Sequence, residues 1–323
     1  MSNERVIPQT VMFPEVEQVA YRNKRCVIFF STKSLEKELL IEFPFEIVFF
    51  TLPLGDEHIL VVDKARPNTL ILYNYREKCE VTSIAVASDI LEFYSSRNYA
   101  CAVFDVGAIV VSSNPLILLY TLKTPSVPAA ISLVSTPDDP SHCIFSHEDD
   151  ISEGNIVIHR IPSSAPTTTF RVAKSGIRCA SISYNGKYIA TTSIKGTIVR
   201  LYDINGKLIQ ESRRGFFNAK IVHVSFSPDS RFFSVTSSHQ TAHIFKCEKS
   251  ESDGYFLPKA EVLVPLEGSK TIRAHILEGG HSLCLTNEKG ACLIYSIDVN
   301  TGESGLKSQI MLPTIAKMFC PSI

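Results

Sequence analysis

Arg213 and Arg214 stand side by side and are followed by Gly215, in the stretch LIQESRRGFFNAKIVHVSFSPDS that runs from Leu208 to Ser230. A guanidinium is a planar fork of donors that stays charged at any relevant pH and grips phosphate bidentately. An arginine pair with a flexible glycine beside it therefore suits an anionic ligand. The flanks of the pair alternate like β-strand, and successive strand side chains point to opposite faces of a sheet. Two adjacent arginines on or beside such a strand cannot easily serve one pocket; they face opposite ways.

The charge around the pair is uneven. From Arg171 to His223 there are ten Lys/Arg against two acids, Asp203 and Glu211. From Val134 to Arg160 there are six acids and one Arg. The whole chain has 323 residues and a formal net charge of -1, which argues against a general nucleic-acid binder with its broad basic field. No nucleic-acid partner is expected. His142 and His147 lack a clean ligand spacing, so their segment reads as an acidic loop rather than a metal site. No Gly-rich phosphate loop and no nucleophile–base constellation stands out, so no catalytic activity and no cofactor is expected.

The composition, 45% hydrophobic and 20% charged, is that of a soluble globular protein. The nine cysteines are scattered singly with no CxxC pair, which fits reduced thiols in a cytoplasmic protein. The N-terminus lacks a secretory pattern, and the most apolar stretch, FPFEIVFFTLPL, is broken by Glu46 and two prolines. Membrane contact is therefore expected to be peripheral.

Short apolar or alternating runs recur along the chain, separated by turn signals such as Asn185-Gly186, Asn205-Gly206, Ser227-Pro228-Asp229 and Lys289-Gly290. SGIRCASISYNGKYIATTSIKGTIVRLYDI aligns with AKIVHVSFSPDSRFFSVTSSHQTAHIFKC, and KTIRAHILEGGHSLCLTNEKGACLIYSID is a weaker third copy. The copies lie roughly one propeller blade apart, about 40–45 residues. The reading is an all-β, seven-bladed β-propeller forming a single domain over residues 1–323. The units are cut at Glu15–Phe43, Pro44–Val81, Thr82–Thr124, Pro125–Pro162, Ser163–Ile204, Asn205–Pro258 and Lys259–Ile310.

The segment from Lys187 to Phe245 closely resembles the signature of the PROPPIN family, the WD-repeat-like phosphoinositide-binding propellers that include the WIPI proteins. The residues that carry it are Ala190-Thr191-Thr192-Ser193, Gly196-Thr197, Arg200, Arg213-Arg214-Gly215, Ser237, Thr241 and His243-Ile244-Phe245. Weaker echoes occur in LILLYTLKTPSVPAAISLVS and RPNTLILYNYREKCEV. Ser212 stands where the family has Phe or Leu, and Ala173 where it often has His.

The resemblance implies two pockets for phosphatidylinositol 3-phosphate and phosphatidylinositol 3,5-bisphosphate. The first would use Arg213 with Ser193, Thr197 and Arg200, supported by Thr191 and Gly196. The second would use Arg214 with Ser237, Thr241 and His243, and Gly215 would let the backbone turn or a phosphate approach. Tyr255, Phe256 and Leu257 would either insert into the membrane interface or pack as a strand start. The resemblance further implies work in autophagosome formation or endolysosomal traffic, on preautophagosomal, endosomal or vacuolar/lysosomal membranes. It also implies recruitment of the autophagy lipid-transfer protein through the second-blade side, at Pro67 and Leu70. The alternative is a protein-interaction scaffold with degenerate lipid pockets.

Overall fold

The structure is a computed structural model that describes residues 10–123, 130–135, 142–149, 153–162, 167–248, 260–265 and 272–319. Seven four-stranded antiparallel sheets follow one another along the chain, each built from four consecutive strands. They span residues 10–42, 47–85, 92–122, 132–171, 177–213, 221–265 and 273–311, and are called blades one to seven. The first strands of successive blades pack on one another, as Ile177–Ile182 does on Ile221–Phe226, and line the centre of the ring. The fourth strands form its rim. Apolar side chains on facing sheet surfaces make the core; one cluster joins Val199 and Leu201 of blade five to Val224, Phe233 and Phe245 of blade six.

The repeat seen in the sequence is a repeated turn. In blade five the Ser183 hydroxyl accepts from Tyr188 N (2.9 Å) and donates to Asn185 Oδ1 (2.7 Å). In blade six Ser227 accepts from Phe232 N (3.0 Å) and donates to Asp229 Oδ1 (2.6 Å). The two turns touch, with Asn185 N donating to Ser230 Oγ at 3.1 Å. Short polar side chains closing their own backbone turn are what Ser, Asn and Asp do best. Blade seven keeps the loop without the side-chain closure, using Gly279-Gly280.

The later cuts made from the sequence are out of phase with the blades. The cut at Ile204/Asn205 gave Leu208–Arg213 to the sixth unit, yet that strand pairs with Ile198–Asp203 and is the rim of blade five. Likewise Thr168–Arg171 belongs to blade four. The Asn205-Gly206 turn is a hairpin within one sheet, not a link between two.

Among the described residues no strand is exchanged between the ends of the ring: Thr10–Phe13 pairs within blade one and Glu303–Met311 within blade seven. Closure rests on side chains. A core cluster combines Val19, Ile28 and Phe30 of blade one, Cys284 and Ile294 of blade seven, and Leu312 and Ala316 of the helix Leu312–Phe319.

Candidate functional site

Blade five places its two arginines on opposite faces. Thr191 pairs with Arg200, Arg200 pairs with Glu211, and Arg213 lies two residues beyond Glu211 on the same face. That face looks toward blade four, where Arg200 Nη1 reaches Val172 O at 3.4 Å. Arg214 has the parity of Ser212, whose buried hydroxyl bonds the Gln210 amide on the face toward blade six.

Arg214 is 7% exposed. Its Nε donates to Gly196 O (2.7 Å) and its Nη2 to Phe217 O (2.6 Å), while its own N–H donates to Thr197 O (2.9 Å). It has no carboxylate partner among the described residues, and burial pulls its pKa below the ordinary arginine value. A guanidinium has five N–H donors, so three remain after these two bonds. His243 lies close enough to feel the charge: its pKa falls to about 4, through burial first and Arg214 second. The His243 Nε2 and Thr241 Oγ1 atoms are 3.0 Å apart. Ser237 sits directly across the ladder from Thr241, its Oγ accepting from His239 N at 3.4 Å. Of the four residues expected in the second pocket, Ser237, Thr241 and His243 thus share one face of blade six, and His243 lies within electrostatic reach of Arg214.

The set expected in the first pocket is only partly assembled. Arg213, Arg200, Thr191 and Ser193 share the face toward blade four. Arg213 has no ion pair among the described residues and lies over the Phe216 ring, 5.0 Å from its centroid. Arg200, however, is committed to Glu211 by a 2.7 Å ion pair. Two more carboxylates lie on that side: Glu148, the last residue of the strand Cys143–Glu148, accepts from Gly154 N and Ile177 N, and Glu153 accepts from Gly176 N, all within 2.8–2.9 Å. Amides that would welcome an anion are already answered there. Ala173 is buried and offers its carbonyl to Arg171 Nε at 3.0 Å.

Gly196 and Thr197 change sides. The Gly196 carbonyl and the Thr197 carbonyl both hold Arg214, so their backbone lies with Arg214 rather than with Arg213. Gly196 has φ +64°, and a Cβ there would meet Ala219 O at 2.1 Å, so glycine is obligatory. Gly215 has neither constraint; a Cβ there meets nothing within 4 Å. Gly196→Ala is therefore expected to lower the melting temperature by several degrees, from a cost of about 1–3 kcal/mol for the strained site. Gly215→Ala should melt like the wild type, which a paired thermal scan checks.

The sequence passed over Phe216 and Phe217, which are 77% and 80% exposed directly after the arginine pair. The signal was present in the letters RRGFF. Tyr255, Phe256 and Leu257 lie outside the described residues. His147 is no loop residue: it sits in the buried strand Cys143–Glu148 with its Nε2 3.0 Å from that of His159.

The depressed histidine titrations carry a stability consequence. His243 folds with a pKa of about 4, against about 6.5 unfolded, and His275 is likewise pushed well down by burial. Below pH 6.5 the unfolded chain binds protons that the folded chain does not, so stability is lost as pH falls toward 4. His243 alone should cost about 2 kcal/mol at pH 5 relative to pH 7. The melting temperature should fall over that interval, and His243→Gln should flatten the profile.

Fold and rim together define a seven-bladed β-propeller with a divergent arginine pair on the outermost strand of blade five. The chain belongs to the PROPPIN family, whose model matches residues 41–255. Autophagy-related protein 18 of Saccharomyces cerevisiae is 36% identical over 116 residues, 36% of this chain and 23% of that protein. Autophagy-related protein 21 of Schizosaccharomyces pombe is 28% identical over 180 residues, 54% of this chain and 53% of that one. These matches cover well under two thirds of the relatives' length. Among solved structures, Kluyveromyces lactis Hsv2p superposes with a TM-score of 0.77 at 15% identity, covering 95% of this chain and 99% of that one. A complex of KlAtg21 with the coiled coil of AgAtg16 superposes with a TM-score of 0.73 at 18% identity, covering 94% and 99%.

Proposed function

We propose that this chain is a peripheral membrane effector in autophagy or endolysosomal traffic. It recognises phosphatidylinositol 3-phosphate and phosphatidylinositol 3,5-bisphosphate through Arg213 and Arg214. One observation carries the reading: the two arginines face opposite sides of one rim strand, and neither has a carboxylate partner among the described residues. Arg214 has three donors left for a phosphate, with Thr241 and the neutral imidazole of His243 beside it. Family membership and the autophagy-related relatives supply the ligand class and the pathway. Two weak pockets on a rigid body act together on a membrane, since the second lipid meets its pocket at high effective concentration and avidity rises about 10²-fold or more.

The test is flotation of purified protein with vesicles carrying either lipid. Arg213→Thr/Arg214→Thr should abolish flotation while circular dichroism remains that of a folded propeller. Flotation equal to the wild type would remove the reading.

A second surface supports protein recruitment. Blades two and three leave between them an apolar cleft of about 440 Å³, bordered by Ile84, Val86, Phe104, Val106 and Leu118. It sits beside the blade expected to engage the autophagy lipid-transfer protein, but at other residues. Leu70 is fully buried and Arg66 is tied to Glu80 at 2.7 Å. Val106→Asp/Leu118→Asp should abolish capture of that partner, with Arg66→Ala harmless; the opposite pattern would remove the cleft as the docking site.

A further inference from the structure

Phe216 and Phe217 point into solvent at 77% and 80% exposure, the two most exposed large apolar side chains among the described residues, ahead of Met318 at 74%. Single exposed apolar residues are ordinary, but two adjacent phenylalanines on a loop tip are not. The loop is also braced. Arg214 Nη2 holds Phe217 O at 2.6 Å, and Arg214 Nε holds Gly196 O at 2.7 Å. Ala219 N donates to Lys195 O at 3.1 Å, which ties the loop to the neighbouring turn. Arg213 lies over the Phe216 ring. The rings are thus held outward by the same two arginines expected to bind phosphate.

The surroundings fix the kind of partner. The braced turn carries Ile194, 56% exposed, and Lys195, also exposed; Lys220 is exposed on the far side of the loop. No acid occurs from Ser212 to Ser227 or from Tyr188 to Tyr202. On the blade-four side, Glu153 is engaged by Gly176 N at 2.9 Å and Glu211 by Arg200 Nε at 2.7 Å. Apolar tips ringed by Lys and Arg match the interface of an anionic bilayer, where aromatic rings enter the headgroup–acyl boundary and cations stay at the phosphates.

We infer that Phe216 and Phe217 form an aromatic wedge that enters the lipid interface when the arginine pair engages its headgroups. The inference rests on the phosphoinositide reading above. It assigns this chain an insertion element at the end of the rim strand of blade five, apart from Tyr255–Leu257. One side chain couples recognition to insertion, because Arg214 both faces His243 and carries the backbone of Phe217.

The chain contains no Trp, so Phe217→Trp introduces a lone indole whose emission reports on this position alone. On vesicles of phosphatidylcholine, phosphatidylserine and phosphatidylinositol 3-phosphate, that emission should shift to the blue and be quenched by brominated acyl chains. Phe216→Ser/Phe217→Ser should bind the vesicles about 10-fold or more weakly, while binding water-soluble dibutanoyl phosphatidylinositol 3-phosphate as the wild type does. Undiminished vesicle binding by the serine variant, or an indole emission unchanged on vesicles, would overturn the wedge and leave headgroup recognition standing. A wild type that binds neither vesicles nor soluble headgroup would remove the phosphoinositide reading and the wedge with it. A serine variant altered only in its oligomeric state would assign the rings to contact with a second copy and overturn the wedge.

Discussion

Arg214→Thr is expected to lose vesicle binding about 100-fold or more, and Arg213→Thr about 10-fold. The asymmetry follows from what surrounds each guanidinium. Arg214 is 7% exposed, held by two carbonyls and within electrostatic reach of His243, so it is fixed and largely desolvated before any ligand arrives. Charge-assisted hydrogen bonds in such a setting contribute about 1.5–3 kcal/mol each, so two of them account for the expected loss. Arg213 is half-buried, stacked on an exposed ring, and shares its face with an Arg200 already neutralised by Glu211. Its pocket begins with less positive field. Truncating Arg214 also strands the carbonyls of Gly196 and Phe217, so Arg214→Lys is the companion variant. Lysine keeps the charge but gathers its three donors on one nitrogen, in place of the planar fork that holds the two carbonyls from Nε and Nη2. It should fold and still bind weakly. Equal losses from Arg213→Thr and Arg214→Thr in vesicle titrations would contradict the asymmetry.

Leu312→Ala should lower global stability by about 3 kcal/mol, and Leu312→Asp should prevent accumulation of folded protein. Leu312 is fully buried where the helix Leu312–Phe319 meets blades one and seven, and among the described residues no shared strand closes the ring there. Its side chain therefore stands in for a ladder of backbone hydrogen bonds. Large-to-small substitution at a fully buried leucine costs about 2–5 kcal/mol through lost transfer energy and the cavity left behind. A buried carboxylate with no partner costs more. Urea titration measures the effect. A midpoint unchanged for Leu312→Ala would show that blades one and seven hold together without the helix.

Much of this was readable in the letters, for physical reasons that also mark where reading stopped. The blade repeat is legible because each turn needs a particular short polar residue, and Ser183/Asn185 and Ser227/Asp229 supply it in register. The divergence of the arginines follows from strand parity alone. The phase of the blades does not, although Asn205-Gly206 held the clue: a short turn of this kind joins neighbours within one sheet. The pairing of Arg200 with Glu211 depends on a bulge between Leu201 and Tyr202, which no local pattern announces. Gly196 faces blade six because of a contact with Ala219, twenty-three positions downstream. Phe216 and Phe217 were visible but had no hydrophobic period to belong to, so nothing in the pattern claimed them.

The most direct measurement is a titration of purified wild-type protein with three sets of vesicles. The sets are identical except for phosphatidylinositol, phosphatidylinositol 3-phosphate or phosphatidylinositol 3,5-bisphosphate. The account predicts binding to the two 3-phosphorylated lipids, no binding to phosphatidylinositol, and a loss of binding in Arg213→Thr/Arg214→Thr. Equal binding to all three sets, or binding that survives the double substitution, would contradict it.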